Sequence, residues 1–301
     1  MKLRNTEFAD VIARFISVRT GLLEDWEKFA GIQGSKQQRE GASTVLKADL
    51  WAEQRLVPVL RYLWPGVPFL CEEAGNSGLA TLVPGIELLS WDDDVTNLPD
   101  NFVSVDGVDG SALYANQCFE LVAMMAGLVK DGRPSAGIVT MLDDGAMYHT
   151  GVNGQPGVFK GDKPHEEWLV PVRPLNKCLI CVDDCGSVDE DFRKLVTNML
   201  TGTKDFAYPM NTPSGAGPIN VLRGRAAAYV SSNARNWDQV ATAALLGAAG
   251  MIVRCLDGSE VPWKQTRMPA VVFARDEETF CYIQKQAKEY LELQKKKQSA
   301  A

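Results

Sequence analysis

The chain has few histidines and no long apolar run, and both absences limit what it does. Only His149 and His165 occur among 301 residues, which excludes chemistry built on several histidines. No apolar run approaches the roughly 18–20 residues that span a bilayer, and the first residues lack the apolar core of a signal peptide. We therefore expect a cytoplasmic protein.

Basic charge is also scarce. The chain has 31 Lys and Arg against 38 Asp and Glu, a formal net charge of −7. This balance argues against nucleic acid as the main partner, because a phosphate backbone favours a basic face. With 46% hydrophobic and 23% charged residues, the composition is that of a globular protein with a large core.

The seven cysteines do not complete a zinc site. Cys178 and Cys181 form a C-x-x-C pair, followed by Cys185, but no second pair or nearby histidine accompanies them. On a strand, residues three apart point to opposite faces. We expect structural, reduced thiols.

The first half of the chain changes from helical to strand periodicity. Apolar residues at spacings of three and four predict a helix or helical pair in the first thirty residues, before a polar loop at Gly31–Thr44. A second helix is predicted from near Ala48 to Trp64, kinked at Pro58. The apolar runs around Asp131 and Gly132 predict a β-hairpin, and MYHTGVNGQPGVFKG predicts another meander.

The second half alternates strands and helices. Its predicted elements are a strand near Leu179–Val182, a helix around Val188–Met199, a small-residue helix in NWDQVATAALLGAAG, a strand in MIVRC and a helix from Glu277 to about Lys295. This order indicates a layered α/β chain of two closely packed subdomains, residues 1–170 and 171–301.

Four acidic clusters end apolar stretches or begin helices. They are Asp49 in LKADLWAE, Glu72 and Glu73 in FLCEEAG, Asp106 and Asp109 in VSVDGVDGS, and Asp238 in NWDQVA. Carboxylates in such places suit Mg²⁺, which prefers oxygen ligands. Two such ions a few ångströms apart position a water and stabilise the attacking and leaving oxygens at phosphorus.

The glycines between the two aspartates also fit a phosphate site. They let the Val108 carbonyl face a metal and leave the amides of Gly110 and Ser111 free for phosphate, which a helix N-terminus favours further. Taken alone, D-G-x-D-G is equally a turn motif.

In their order along the chain, these motifs resemble the inositol monophosphatase superfamily of Mg²⁺-dependent, lithium-sensitive phosphomonoesterases. That superfamily also includes bisphosphate nucleotidases and related sugar phosphatases. Its marks are A-D at a helix start, a strand ending in G-E-E, a strand ending in D-P-I-D-G-T, and W-D-x-x-A before A-G-G. The likeness runs from about Asp49 to Gly258, and it implies alternating α-β-α-β-α layers.

The resemblance also implies residue roles. Glu72, Asp106, Asp109, Asp238 and the Val108 carbonyl would hold two or three Mg²⁺ ions, with Asp106 bridging two of them. Mn²⁺ would substitute and Li⁺ would inhibit. Asp49 would orient the Ser111 hydroxyl and, with Glu72 and metal, activate a water that attacks phosphorus directly. The amides of Gly110 and Ser111 would bind the phosphate.

The chain departs from the family pattern at three places. Gly107 replaces the usual proline and is expected to loosen the loop, and Ser111 replaces threonine. The connection from Glu72 to Asp106 is long, and its insertion at Asp92–Asp94 is expected to shape the substrate pocket.

The substrate is the least constrained part of the prediction. Ser231 stands where inositol-specific members carry a glutamate that meets sugar hydroxyls, Ser214 lies in a small-residue loop, and Arg235 is placed to reach a substrate anion. We expect a small phosphate ester, with neither a nucleic acid polymer nor a membrane as partner, and a homodimer.

Two alternatives remain at this point. One is a catalytically silent relative that binds phosphate ligands. The other is a haloacid-dehalogenase-like phosphatase, because Asp92 opens a D-x-D-x-T motif whose first aspartate forms an aspartyl-phosphate.

Overall fold

The computed structural model contains two β-sheets interleaved with helices. The residues that it describes are 5–30, 47–73, 85–89, 97–151, 156–161, 163–165, 179–183, 192, 195, 209–232, 235–288, 290–292 and 296. The predicted loop at Gly31–Thr44 and the insertion at Asp92–Asp94 lie outside these residues. The predicted helix around Val188–Met199 does too, apart from Phe192 and Leu195.

Three helices precede the first sheet, confirming the helical start. They are α1 (Asn5–Glu24), α2 (Trp26–Ala30) and α3 (Lys47–Leu63), which contains Pro58. The apolar residues of α3 recur at helical spacing and form one buried face: Leu56, Val57, Leu60 and Leu63.

The first sheet has seven strands in sequence order. They are β1 (Phe69–Cys71), β2 (Phe102–Asp109), β3 (Ala123–Lys130), β4 (Arg133–Met141), β5 (Ala146–His149), β6 (Gly157–Lys160) and β7 (Lys163–His165). Strands β1 and β2 are parallel and the remaining neighbours antiparallel. The predicted turn between β3 and β4 is confirmed, since Asp131 and Gly132 have φ values of 52° and 74°, as a two-residue type I′ hairpin requires.

The second sheet has five strands in the order β11-β12-β10-β8-β9. They are β8 (Leu179–Asp183), β9 (Pro209–Asn211), β10 (Ala226–Ser231), β11 (Ile252–Cys255) and β12 (Val271–Ala274). The remaining helices are α4 (Ser111–Ala115), α5 (Ala216–Leu222), α6 (Asn236–Ala248) and α7 (Glu277–Gln286). Helix α7 begins at Glu277 as predicted and has Ala287 as its C-cap, and the described residues beyond it, 288, 290–292 and 296, are helical as well.

Three buried clusters of apolar residues define the layers. The first joins α1, α2 and α3 to one face of the first sheet. The second joins the opposite face of that sheet to α5, α6 and the inner face of the second sheet. The third joins α7 to the outer face of the second sheet. The layers are α-β-α-β-α, as the resemblance implied. The two sheets lie on either side of the predicted boundary at residue 170, which stays a prediction.

A pair of glycines sets the distance between α6 and the first sheet. Gly127 and Gly137 face each other across β3 and β4. A Cβ on Gly127 would lie 2.7 Å from the Ala241 nitrogen, and one on Gly137 would lie 2.1 Å from the Ala241 carbonyl oxygen. Larger residues would push α6 outward, so this pair fixes where α6 presents Asp238.

Candidate active site

Parallel pairing of β1 and β2 brings the first two acids together. Cys71 lies opposite Val105. Glu72 and Asp106 are the next residues along these two parallel segments, so they lie at the same end of the strand pair. The Glu72 amide continues the ladder by donating to the Val105 carbonyl at 3.2 Å. Two sequence-distant acids thus become neighbours through strand register.

A β-bulge accounts for the spacing of Asp106 and Asp109. Asp106 pairs with Met125 and Asp109 pairs with Ala123, so β2 advances three residues while β3 advances two. In a regular strand, residues three apart point to opposite faces, and the extra residue of a bulge re-aims the chain. The Val108 amide, inside the bulge, donates to Asp106 Oδ1 at 2.9 Å.

Gly107 has a steric role that the sequence did not reveal. The expectation that it loosens a loop is wrong, because Gly107 lies within the fully buried strand β2. A Cβ there would lie 2.5 Å from the Asp49 carbonyl oxygen and 3.1 Å from the Ala52 Cβ. The missing side chain lets α3 approach β2 and brings Asp49 to the acids.

The acids gather into two triads that share one residue. One triad is Asp49, Glu72 and Asp106, and the other is Asp106, Asp109 and Asp238. Within each triad, one carboxylate oxygen from every residue lies within 4.8 Å of the others. The position of Asp106 in both triads agrees with its predicted bridging role, which remains a prediction.

Burial and mutual repulsion disfavour the ionised form of these acids. Burial, followed by the charge of Glu72, raises the pKa of Asp49, of Asp106 and of Asp238 well above the ordinary value. Burial also raises the pKa of Asp109 to about 8, against the opposing hydrogen bond from the Gly215 amide. A bound cation would reverse these shifts by stabilising the charged form.

The donor set fits magnesium. Both triads contain only carboxylate oxygens, which are hard ligands suited to Mg²⁺ and poorly suited to metals that prefer sulfur or imidazole. A cation bound between them would offset the burial and mutual repulsion that raise their pKa values. The residues therefore fit the predicted ion.

Ser111 connects Asp49 to strand β2. Its hydroxyl lies 2.6 Å from Asp49 Oδ1 and 2.9 Å from the Val108 carbonyl oxygen. A hydroxyl has one proton, so only one of these oxygens receives a full hydrogen bond from it at a time. The predicted pairing of Asp49 and Ser111 is present, and the Val108 carbonyl faces the same hydroxyl.

The predicted phosphate-binding turn has the expected backbone shape. Gly110 has a left-handed φ of 87° and precedes the short helix α4, a conformation that favours glycine. Its carbonyl accepts hydrogen bonds from the amides of Leu113 and Tyr114. Phosphate binding by the Gly110 and Ser111 amides stays a prediction.

The predicted substrate residues lie beside the second sheet. Ser214 and Ser231 are 2% and 0% exposed, and their hydroxyls lie 3.1 Å and 3.5 Å from Asp183 Oδ2. The guanidinium of Arg235 lies 5.7 Å from the centre of the Trp237 ring, and its charge opposes the rise in the pKa of Asp238. Their roles in substrate binding stay predictions.

The sequence analysis missed Asp183 as a site residue. It follows the apolar run LICV at the end of β8, just as Glu72 follows FLC at the end of β1. An acid at the end of an apolar strand is the pattern that predicts Glu72, and the same pattern marks Asp183.

Buried acids also surround the first triad on its other side. Glu53 is 0% exposed and Glu73 is 2% exposed. Glu53 Oε1 accepts a hydrogen bond of 3.3 Å from the Glu73 amide. This contact ties α3 to the chain that follows β1, next to Glu72.

Two further observations concern predictions from composition. Within the described part of the chain, Cys71, Cys118, Cys181, Cys255 and Cys281 are free thiols. None of the helices described there is both long and apolar enough to cross a bilayer.

Comparison with protein families and solved structures identifies relatives of this arrangement. The model of the inositol monophosphatase family matches residues 7–291. The match places the chain outside the haloacid-dehalogenase-like phosphatases, so the alternative based on Asp92 loses its support.

Three solved structures illustrate the shared fold. The SuhB protein of Bartonella henselae has a TM-score of 0.69 at 17% identity, covering 93% of this chain and 97% of its own. The IMPase of Thermotoga maritima has a TM-score of 0.67 at 16% identity, covering 92% and 96%. SaIMPase-II with bound 2′AMP has a TM-score of 0.63 at 16% identity, covering 97% and 98%.

Proposed function

The chain belongs to the inositol monophosphatase family, and we propose that this metal-dependent phosphatase uses Mg²⁺ to hydrolyse a small phosphomonoester. The observation that carries the proposal is the pair of carboxylate triads that share Asp106. The substrate would be a sugar, cyclitol or nucleotide phosphate. SaIMPase-II, which has the same fold, has been solved with inositol monophosphate and with 2′AMP, and both ligands belong to this range.

The chain offers a full set of oxygen ligands for the ions. Glu72, Asp106, Asp109, Asp238 and the Val108 carbonyl would hold two or three Mg²⁺, with Mn²⁺ as a substitute. Mg²⁺ bound there supplies a Lewis acid for the phosphoryl oxygens and lowers the pKa of a water. The bound ions would also favour the ionised form of acids whose pKa values burial and mutual repulsion raise.

Asp49 and Ser111 would position the attacking water. The Ser111 hydroxyl would donate a hydrogen bond to Asp49 across their 2.6 Å contact. Its oxygen lone pairs would then be left to accept a hydrogen bond from the water. Asp49 and Glu72 then offer acceptors for the proton that the water loses. The water attacks phosphorus in line with the leaving oxygen, without a phosphoenzyme.

The phosphate would be held by the main chain. The left-handed turn at Gly110 is the kind of backbone in which successive amides converge on an anion. The Gly110 and Ser111 amides would donate to the phosphate oxygens and hold phosphorus within reach of the water.

A catalytically silent relative is the weaker candidate. All the acids that the family pattern requires are present and brought together in the two triads. Further parts of the proposal are inhibition by Li⁺ through competition for a weakly held ion, a cytoplasmic location and a homodimer.

Metal removal tests the proposed function. The purified protein should release phosphate from phenyl phosphate in Mg²⁺, lose this activity in excess EDTA, and recover it when Mg²⁺ is restored. Asp106→Asn, which changes the residue common to both triads, should be inactive under all three conditions. Full activity of the parent protein in excess EDTA would rule out the metal-dependent reaction.

A further inference from the structure

A set of hydrogen bonds ends at Asp183, on the substrate side of the site. Asp183 Oδ2 accepts hydrogen bonds from Ser214 Oγ at 3.1 Å and from the Tyr229 hydroxyl at 3.2 Å. The Ser231 hydroxyl lies 3.5 Å from the same oxygen. Ser231 and Asp183 are register partners on the parallel strands β10 and β8, which explains their closeness.

Gln239 lies behind these hydroxyls. Its Nε2 lies 3.0 Å from Ser214 Oγ and 3.4 Å from the Tyr229 hydroxyl, and the Tyr229 hydroxyl also lies 3.1 Å from Ser214 Oγ. Ser214, Tyr229 and Gln239 therefore form one buried hydrogen-bond network that holds the Asp183 carboxylate in place.

Asp183 is also the member of this set that reaches the surface. Ser214 is 2% exposed, and Tyr229, Ser231 and Gln239 are fully buried, whereas Asp183 is partly exposed. A molecule entering the site can therefore contact the carboxylate more readily than the hydroxyls behind it.

This carboxylate lies next to the second triad without belonging to it. The Gly215 amide, directly after Ser214 in the chain, donates to Asp109 Oδ2 at 2.7 Å. Apart from burial, the dominant cause, Asp183 is the neighbouring charge that contributes most to the raised pKa of Asp109, and it also raises that of Asp238. The described residues of the two triads do not include Asp183.

The carboxylate of Asp183 has the chemistry to recognise a hydroxyl, because carboxylate oxygens accept hydrogen bonds. A phosphate ester bound at the triads would place its leaving group on this side of the site.

We propose that Asp183 is a specificity-determining residue, whose carboxylate accepts a hydrogen bond from a hydroxyl of the substrate's leaving group. The proposal rests on the phosphatase function proposed above. It assigns to Asp183 the contact that the sequence had placed on Ser214 and Ser231, both of which are buried behind it.

A matched pair of substrates tests this contact. Inositol 1-phosphate and cyclohexyl phosphate have the same ring size, and only the first carries hydroxyls. In Mg²⁺, the parent protein should prefer inositol 1-phosphate in kcat/KM. Asp183→Asn should reduce this preference by about tenfold or more, mainly through KM, because it removes the charge of a hydrogen-bond acceptor.

Tyr229→Phe is the control variant. It removes a donor to Asp183 but keeps the carboxylate, and Tyr229 is too deeply buried to touch a substrate. It should reduce the preference for inositol 1-phosphate less than Asp183→Asn does, because the carboxylate and its donor Ser214 remain.

The outcomes separate the two proposals. If the parent protein releases no phosphate from either ester or from phenyl phosphate in Mg²⁺, the proposed function fails; if it hydrolyses phenyl phosphate but neither ester, only the proposal for Asp183 is overturned. If it hydrolyses both without preference, or if Asp183→Asn lowers both equally, the proposal for Asp183 is overturned. Asp183 would then only hold the Ser214–Gly215 turn against Asp109. The first of these comparisons needs no variant, so it stands even if Asp183→Asn does not fold.

Discussion

The two sheets contribute opposite kinds of environment to one site. Beside the first sheet, Glu72, Asp106 and Asp109 lie close to Asp49, and burial together with repulsion between these like charges raises the pKa values of Asp49, Asp106 and Asp109. Beside the second sheet, one carboxylate, Asp183, is surrounded by hydroxyl donors.

This difference suits the carboxylates beside the first sheet (the first side) and Asp183 beside the second sheet (the second side) to different roles. Carboxylates that repel one another need an added cation, and this dependence makes the first side responsive to metal. A carboxylate that already has hydrogen-bond donors is held in place without metal. The first side is therefore suited to the reaction, and the second to recognition.

The largest expected effect tests whether repulsion between the carboxylates beside the first sheet destabilises the metal-free protein. Asp238→Asn should remove most activity, because it takes a carboxylate from the second triad. The melting temperature of the metal-free protein should stay the same or rise slightly near neutral pH, because repulsion falls.

The sign follows from the raised pKa of Asp238. Burial and the charge of Glu72 raise it in the folded protein, so the ionised form costs stability, and this cost grows as the pH rises toward the raised pKa. The gain from Asp238→Asn should shrink as the pH falls, since Asp238 is then protonated. Melting curves at several pH values in EDTA check this.

Asp276→Asn is the matched control at another helix start. Burial raises the pKa of Asp276, but hydrogen bonding from Thr279 outweighs burial and holds this pKa below its ordinary value. The charge of Asp276 is favourable, so its loss should lower the melting temperature. A large fall for Asp238→Asn in the metal-free protein would mean that Asp238 stabilises its helix instead, and the comparison would break.

The next largest effect concerns the water. Ser111→Ala should lower kcat by about 10²–10⁴-fold, as is usual for a lost general-base contribution. KM should change little, since the Ser111 amide survives, and Asp49→Asn should behave similarly. The double variant should be little worse than either single one, because the two residues act as a unit.

Steady-state kinetics of the four proteins check this coupling. Ser104→Ala serves as the control, because its hydroxyl is buried on β2, the strand of Asp106 and Asp109, and has no hydrogen-bond partner. Its kcat should match that of the parent. Additive losses at Asp49 and Ser111 would mean that the two act independently. A fully active Ser111→Ala protein would leave water activation to Glu72 and its metal.

Local chemistry explains why the reactive side could be predicted from the sequence. Gly110 and Ser111 follow Asp109 directly in the chain, and Glu72 directly follows its strand, so short motifs carry much of the geometry. The hairpin at Asp131 and Gly132 was predictable for the same reason, since two adjacent residues determine the turn.

The other features depend on contacts between distant segments. The bulge that turns Asp106 and Asp109 toward each other needs the register of β3, and the meaning of Gly107 depends on how closely α3 approaches. The donors around Asp183 come from β10 and from Ser214, just before α5, and Gln239 on α6 contacts two of them. No local pattern in a single sequence records such a network.

A third test asks how much of the first side depends on close packing. Gly107→Ala would place a methyl group 2.5 Å from the Asp49 carbonyl oxygen, so α3 or β2 must shift. Overpacking of this kind costs about 1–3 kcal/mol, and the shift would also separate Asp49 from Asp106. Denaturant unfolding should show the loss of stability, and kcat should fall with it.

Gly247→Ala is the control for the same chemical change. A Cβ at Gly247, on α6, meets nothing within 4 Å. Alanine is favoured over glycine inside a helix by up to about 1 kcal/mol, so this variant should be as stable as the parent or more so. If Gly107→Ala were equally harmless, the close approach of α3 would not be what positions Asp49.

The smallest expected effect lies on the second side, at Ser231. Its hydroxyl is fully buried and lies 3.5 Å from Asp183 Oδ2, at the outer limit for a hydrogen bond. Ser231→Ala should therefore cost less than about 1 kcal/mol of stability and raise KM for inositol 1-phosphate by no more than about threefold. Asp183 keeps Ser214 and Tyr229 as hydrogen-bond partners, so its position should persist.

The measurement is KM for inositol 1-phosphate and cyclohexyl phosphate, with Asp183→Asn alongside. A rise in KM at Ser231→Ala that equals the rise at Asp183→Asn, for the hydroxylated ring alone, would show that Ser231 itself contacts the substrate. The second side would then recognise its ligand through a hydroxyl that moves to meet it, rather than through a carboxylate already in place.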